Sequence, residues 1–343
     1  MNNQKQKGFT LIEIMVAVVV SLILLSGVIQ IFMSTKQTYK FGEALSRMQE
    51  TGRFAIDMLT RDIRMAGYQG CADLSTIPAN IIANNPPVVS FGSEAIGGWE
   101  YTGSWTPASP AQPAAITSLV KANTDVITIK HASATGMQLT GNLLVENANI
   151  QVTSNTIGAV ANDVLFISDC TTADIFRATS VSSGGTVTIA HASSSNTSNN
   201  LSKAYGTEAK VYAFNDSVYF VGPTNRTNRQ GQNVFALFRR NGSGTIDELV
   251  EGVENMQILY GDRADNGNIR YVPANDVTLN MTRVVSIRIA LLVHSIEPVN
   301  NTVDNTIYNV AGTNIGVSGT VTHASDKRIR RVFVTTIKLR NRR

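Results

Sequence analysis

The first sixty-odd residues change pattern twice. Residues 1–8, MNNQKQKG, are polar and carry two lysines, Lys5 and Lys7. From Ile14 to Thr35 the next 22 residues hold no charge at all. At a rise of about 1.5 Å per residue this run spans about 33 Å as a helix, enough to cross a hydrocarbon core of about 30 Å. It has no polar face, which makes a buried core helix the weaker reading beside a membrane span. It is also too long for a cleaved secretory signal, and its far end, QIFMSTKQ, has no small-x-small site. The lysines ahead of it place the N-terminus in the cytoplasm and the bulk of the chain outside.

After Lys36 the pattern becomes periodic. Phe41, Leu45, Met48, Gly52, Ala55, Leu59, Asp62/Ile63 and Ala66 recur at alternating steps of four and three, one face of an α-helix. Lys40, Glu43, Arg47, Glu50, Arg53, Asp57, Arg61 and Arg64 fill the opposite face, with Asp57 and Arg61 spaced for an i,i+4 pair. No proline occurs between Phe9 and Gly67, so one continuous helix is expected, stopped by Gly67 and Gly70.

Beyond the helix the signals are those of short strands. Residues 84–113, rich in proline and glycine, and SSSNTSNN at 193–200 read as surface loops. Strand-like runs lie at 124–133, 162–170, 185–193, 210–222, 233–241, 254–262, 283–295 and 330–341. NGSGT at 241–245 is a hairpin signal. The repeated Asp-Val-Ile/Leu and His-Ala-Ser segments are open to two readings, a duplicated hairpin or ordinary strand-and-turn composition. The fold class is therefore α+β: a long N-terminal helix, transmembrane and then amphipathic, followed by a large antiparallel β-rich domain.

Composition sharpens this picture. Only 16% of the 343 residues are charged, below the roughly 25% usual in soluble domains, which suits an extracytoplasmic β-rich surface. Lys5 and Lys7 give +2 at the start. The last 17 residues give +8 through Lys327, Arg328, Arg330, Arg331, Lys338, Arg340, Arg342 and Arg343, so a net +4 leaves −6 for the rest. That basic end is a candidate nucleic-acid or phosphate contact, although charges at strand ends also protect an edge from aggregation.

Candidate chemistry is sparse. His131, His191, His294 and His323 show no ligand spacing, and no nucleophile elbow, zinc helix or phosphate loop is present, so no enzyme and no cofactor is expected. Asp262, Asp265, Asn266 and Asn268 around Gly267 form a weak calcium candidate that lacks the full loop pattern and its terminal Glu; a hairpin turn is the competing reading.

One residue does not suit a simple anchor. Glu13 lies near the start of the apolar run, where an intramembrane carboxylate costs on the order of 2.5–3.5 kcal/mol at the bilayer centre and usually has a partner. The amino group freed by a cut after Gly8 would supply one. KGFTLIE followed by some twenty apolar residues resembles the class III leader of type IV prepilins and type II secretion pseudopilins. The resemblance implies cleavage between Gly8 and Phe9 by prepilin peptidase and N-methylation of Phe9. It also implies a role for Glu13 in neutralising a neighbouring subunit's terminal amine during assembly.

RFAIDMLTRDIRMAGYQGC (53–71), ELVEGVENMQILYG, VVSIRIALLV and VFVTTIKLRNR narrow the resemblance to PilW-type minor pilins, over residues 1–71 and roughly 205–343. It implies a leader (1–8), an assembly half of the helix (9–35), an amphipathic half (36–67), a variable β-rich region (68–204) and a C-terminal sheet region (205–343). The implied protein is an inner-membrane subunit with a periplasmic body that joins a priming or tip complex of a type IV pilus, serving twitching motility, adhesion and DNA uptake. Its partners would be other minor pilins, the major pilin and a tip adhesin. Two alternatives stay open: a large minor pseudopilin of a type II secretion system, and a membrane-anchored receptor for DNA or a surface ligand. Cys71 and Cys170, the only cysteines, are expected to pair in an oxidising periplasm, the alternative being two separate thiols.

Overall fold

The computed structural model describes residues 8–71, 77–86, 90–101, 104–107, 116–141, 143, 145–147 and 149–342. Lys5, Lys7, Arg343 and much of the proline-rich stretch lie outside the described residues.

The periodic and apolar segments form one helix, Leu11–Met65, of 55 residues, about 82 Å long. Asp57 and Arg61 meet across one turn at 3.6 Å. Its buried residues are Met48, Gly52, Ala55, Leu59 and Ile63, the lower part of the expected stripe. Phe41 is 38% exposed, a departure from that stripe. The reason is reach: Ala44 and Leu45 are the first helical side chains to pack on the body's apolar cluster, and above them the Gln37 amide reaches the body, donating to the Val299 carbonyl. Gly67, at φ +73°, turns the chain off the helix, and its N–H donates to the Lys130 carbonyl at 3.0 Å.

The body is built on an 18-residue strand, Lys210–Thr227. Its first residues pair with Val164–Ser168, which in turn pairs with Ala173–Arg177. Its middle pairs with Val126–Ala132, and that strand with Ile96–Tyr101. Along its other edge runs Asn233–Asn241, joined to Ile246–Glu251 through the expected 241–245 turn, with Gly244 at φ +91°. Ten strands make up this sheet among the described residues. A second, antiparallel sheet has the order Ile269–Val272, Val253–Arg263, Val284–His294, Arg330–Lys338.

One apolar cluster joins all three parts. Ala55, Leu59 and Ile63 of the helix meet Ile127, Tyr219 and Leu237 of the large sheet and Ile258, Ile289 and Leu291 of the second. Alternation along the strands turns Val126, Val218 and Phe220 to the opposite face, into a smaller cluster with Trp99.

The two His-Ala-Ser segments do not occupy equivalent places. Val126–Ala132 and Val164–Ser168 both border the long strand, whereas Val187–Ala190 belongs to a separate small sheet. The similarity is one of strand composition and not of a duplicated hairpin.

Candidate assembly site

At the helix start, Thr10 caps the chain. Its hydroxyl accepts from the Glu13 N–H at 3.4 Å, while a Glu13 carboxylate oxygen accepts from the Thr10 N–H and the Thr10 hydroxyl, both at 2.9 Å. This is a capping box, and T-x-x-E is its written signature. The resemblance drew attention to Glu13 for its charge; Thr10 was legible in the same four residues and was missed. Among the described residues the box is the whole environment of Glu13, since Phe9 is 85% exposed and the apolar half of the helix is bare. A Cβ built on Gly8 meets no atom within 4 Å. The chain's own fold therefore does not demand glycine there.

The body grips the other half. Asp62, on the inward stripe, accepts from the Tyr219 hydroxyl at 2.9 Å and pairs with His131 Nε2 at 3.0 Å. Burial alone would raise the Asp62 carboxyl, but its bonds to His131 and Tyr219 outweigh it and hold the group below its usual range. For His131 burial pulls downward, and the Asp62 bond prevails and raises it. An acid on an apolar stripe calls for a buried partner; nothing in the sequence said which. Just past the helix, Cys71 is joined to Cys170 in a disulfide, 99 residues apart.

The other sequence candidates fall into place differently. The Asp262 side chain is fully buried and bonded to two guanidinium groups, Arg270 at 2.9 Å and Arg283 at 3.1 Å. Asp265 is 98% exposed. Residues 264–268 form a hairpin turn, with the Ala264 N–H donating to the Asn268 carbonyl and Gly267 at φ +83°. Two cations on the one buried carboxylate oppose a divalent ion, and among the described residues no group of three or more His, Cys, Asp or Glu is placed to hold a metal.

The basic C-terminus is not one surface patch. Arg328, Arg330 and Arg342 are buried. Arg330 reaches Glu254 at 2.7 Å, Asp326 at 2.9 Å and Asp304 at 3.2 Å. Arg328 spans the Asn233 carbonyl and Gln232, and Arg342 the carbonyls of Met281 and Gly92. Lys327, Arg331, Lys338 and Arg340 remain exposed. Arg328, Ile329 and Arg330 are buried in succession where the chain enters the last strand, so the charge count alone concealed which basic groups turn inward.

Two stretches of the chain match known families. Residues 3–29 match the prokaryotic N-terminal methylation motif, and residues 218–341 match the family described as type IV pilus-assembly protein W. The two ends of the chain resemble those of a PilW-type minor pilin. The matches take in the leader, the apolar start of the helix, the second half of the long strand and the whole C-terminal sheet, and they leave 30–217 outside. No curated relative and no solved structure matches the chain at a significant level. Both matches point to a structural protein of the pilin kind, and in this chain a bare, apolar helix half carries a separately packed body.

Proposed function

We propose that this pilin is a structural subunit of the priming and tip complex of a type IV pilus. The leader 1–8 is removed by prepilin peptidase, Phe9 is N-methylated, and the protein waits in the inner membrane as a single-pass subunit with its body in the periplasm. Assembly then draws the apolar half, 9–35, into a bundle of other pilin helices. There Glu13 compensates the terminal amine of a neighbouring subunit. Other minor pilins, the major pilin and a tip adhesin are the partners, and twitching motility, adhesion and DNA uptake follow from the filament.

The observation that carries this reading is the division of the helix. Its upper half exposes an uninterrupted apolar surface with one carboxylate at its tip, whereas its lower half is locked into the body's core. Bilayer lipid suits the apolar side chains but leaves the carboxylate costly, and a second helix end with a free amine relieves that cost. A match to the PilW family rather than to pseudopilins favours the pilus over the secretion system.

The test is Glu13→Ala in cells, with membrane fractionation beside shear recovery of fibres. Normal membrane levels with loss of piliation are expected. Normal piliation would overturn the assembly role, and mature protein still beginning at Met1 would overturn processing.

A further inference from the structure

The face of the large sheet turned away from the helix holds a concavity of about 650 Å³. Its floor is a row of directly opposed residues on four strands, Gly97 beside Thr128, Thr128 beside Val218 and Val218 beside Arg240. One rung along, Lys130 stands beside Asp216. Val277, Leu279 and Met281 supply an apolar flank.

Three polar atoms of this floor, Thr128 Oγ1, Asp216 Oδ1 and Arg240 Nε, are buried and have no hydrogen-bond partner among the described residues. Such atoms are uncommon in native structures and call for an explanation. Asp216 and Arg240 face the same hollow without forming an ion pair with each other. A ligand that satisfies both must donate to a carboxylate and accept from a guanidinium, and a hydroxyl group does both. Lys130 and Arg240 set against Glu94, Asp216 and Asp276 leave the lining within one charge of balance, which disfavours a strongly charged ligand. The apolar flank suits the C–H face of a ring. The volume lies within the range of about 300–1,000 Å³ typical of small-molecule sites.

We infer that this concavity binds a neutral saccharide, with Asp216 and Arg240 holding its hydroxyls and Gly97 leaving room for the ring. The site lies opposite the helix, so packing of helices against one another leaves it open. The inference is independent of the assembly reading.

The test uses the full chain in a phosphocholine detergent, since a maltoside would itself present a sugar. Lactose, cellobiose and diacetylchitobiose are titrated in turn and followed by calorimetry and saturation-transfer NMR, with glycine and acetate as charged comparisons. Saturable binding of at least one disaccharide is expected. It weakens at least about tenfold in Asp216→Ala and in Arg240→Ala, each removing a charge-assisted hydrogen bond. Gly97→Val abolishes it by filling the floor; a Cβ there lies at ordinary contact distance, 3.4 Å from the nearest atom, and an unchanged thermal transition is the check that the variant folds. No saturation by any of the three sugars, tighter binding of glycine or acetate, or affinity unchanged in all three variants would overturn the inference.

Discussion

Replacing Arg330 with alanine is the most discriminating perturbation of the body. The side chain is fully buried and holds three carboxylates, those of Glu254, Asp304 and Asp326. Its removal leaves these acids buried without their shared cation, a class of change that costs about 3–5 kcal/mol. Arg328 stays 3.5 Å from Asp326, and the Lys121 ammonium stays on the Glu254 carbonyl, so partial compensation puts the loss toward the lower end. At about 2–4 °C per kcal/mol for a body of this size, the midpoint falls by about 6–20 °C.

The pH dependence identifies the cause. Burial alone would raise the Glu254 carboxyl, yet it is held at about 2 against an ordinary 4.5 by the surrounding cations. His294 is itself neutral until about pH 4, so above that pH Arg330 and Lys121 do the holding. A depressed acid contributes stability that is present above about pH 4.5 and is lost as pH falls toward 2. The gap between the parent chain and Arg330→Ala is therefore widest near neutrality and narrows below pH 4.5, because the variant's carboxyls take up protons instead. Thermal unfolding of the full chain in detergent, followed by near-ultraviolet circular dichroism at several pH values, measures it. Arg331→Ala, at an exposed neighbour, is the control. A drop no larger than the control's, or a gap that does not narrow between pH 7 and pH 3, would refute the reasoning.

Asp62→Asn should cost about 1–3 kcal/mol by weakening a buried charged hydrogen bond, and the His131 ring should titrate at lower pH by NMR; an unmoved His131 would remove the pairing. In the parent chain the raised His131 contributes stability below about pH 6.5 that is lost as pH rises through its folded value, while the lowered Asp62 contributes stability that is lost on acidification. His294 acts in the opposite sense to His131. Buried and held at about 4, it favours the fold above pH 6.5 and loses that contribution between 6.5 and 4, so His294→Gln should flatten this part of the stability profile. Replacing Cys71 and Cys170 together by serine releases a loop of 99 residues, and chain-entropy arguments put the loss near 4.7 kcal/mol; a midpoint equal to the parent's would show that the loop is already constrained.

How much of this was legible depends on whether a residue's role is local. The helix, its stripe from Met48 to Ile63 and the strands from 210 onward could be read because periodicity is written in neighbouring residues. The hairpin at 241–245 was legible for the same reason, since its turn chemistry is local. Partners brought from afar were not legible. Asp62 meets His131 across 69 residues and Tyr219 across 157. Arg330 meets Glu254 across 76, so a group that the charge count places on a basic surface is in fact the centre of a buried acid cluster. The floor formed by Gly97, Thr128, Val218 and Arg240 depends on strand register, which no single segment encodes.

The same distribution of contacts bears on the proposed role, in which one chain is both a membrane rod and a body. A filament subunit must pass tension between its body and the bundled half of its helix. An amphipathic helix resting on a sheet through side-chain contact alone could slide by a turn. Here three unlike restraints act along the lower helix and just beyond it. Gly52 brings the helix so close to Phe333 that a Cβ there would lie 2.4 Å from the ring. Asp62 fixes its rotation through directional bonds to His131 and Tyr219. Immediately beyond the helix, Gly67 is bonded to Lys130 and Cys71 is joined covalently to Cys170. Close packing resists separation, the hydrogen bonds resist rotation and the disulfide resists extraction, so force applied to the body is delivered to the helix without a soft joint between them.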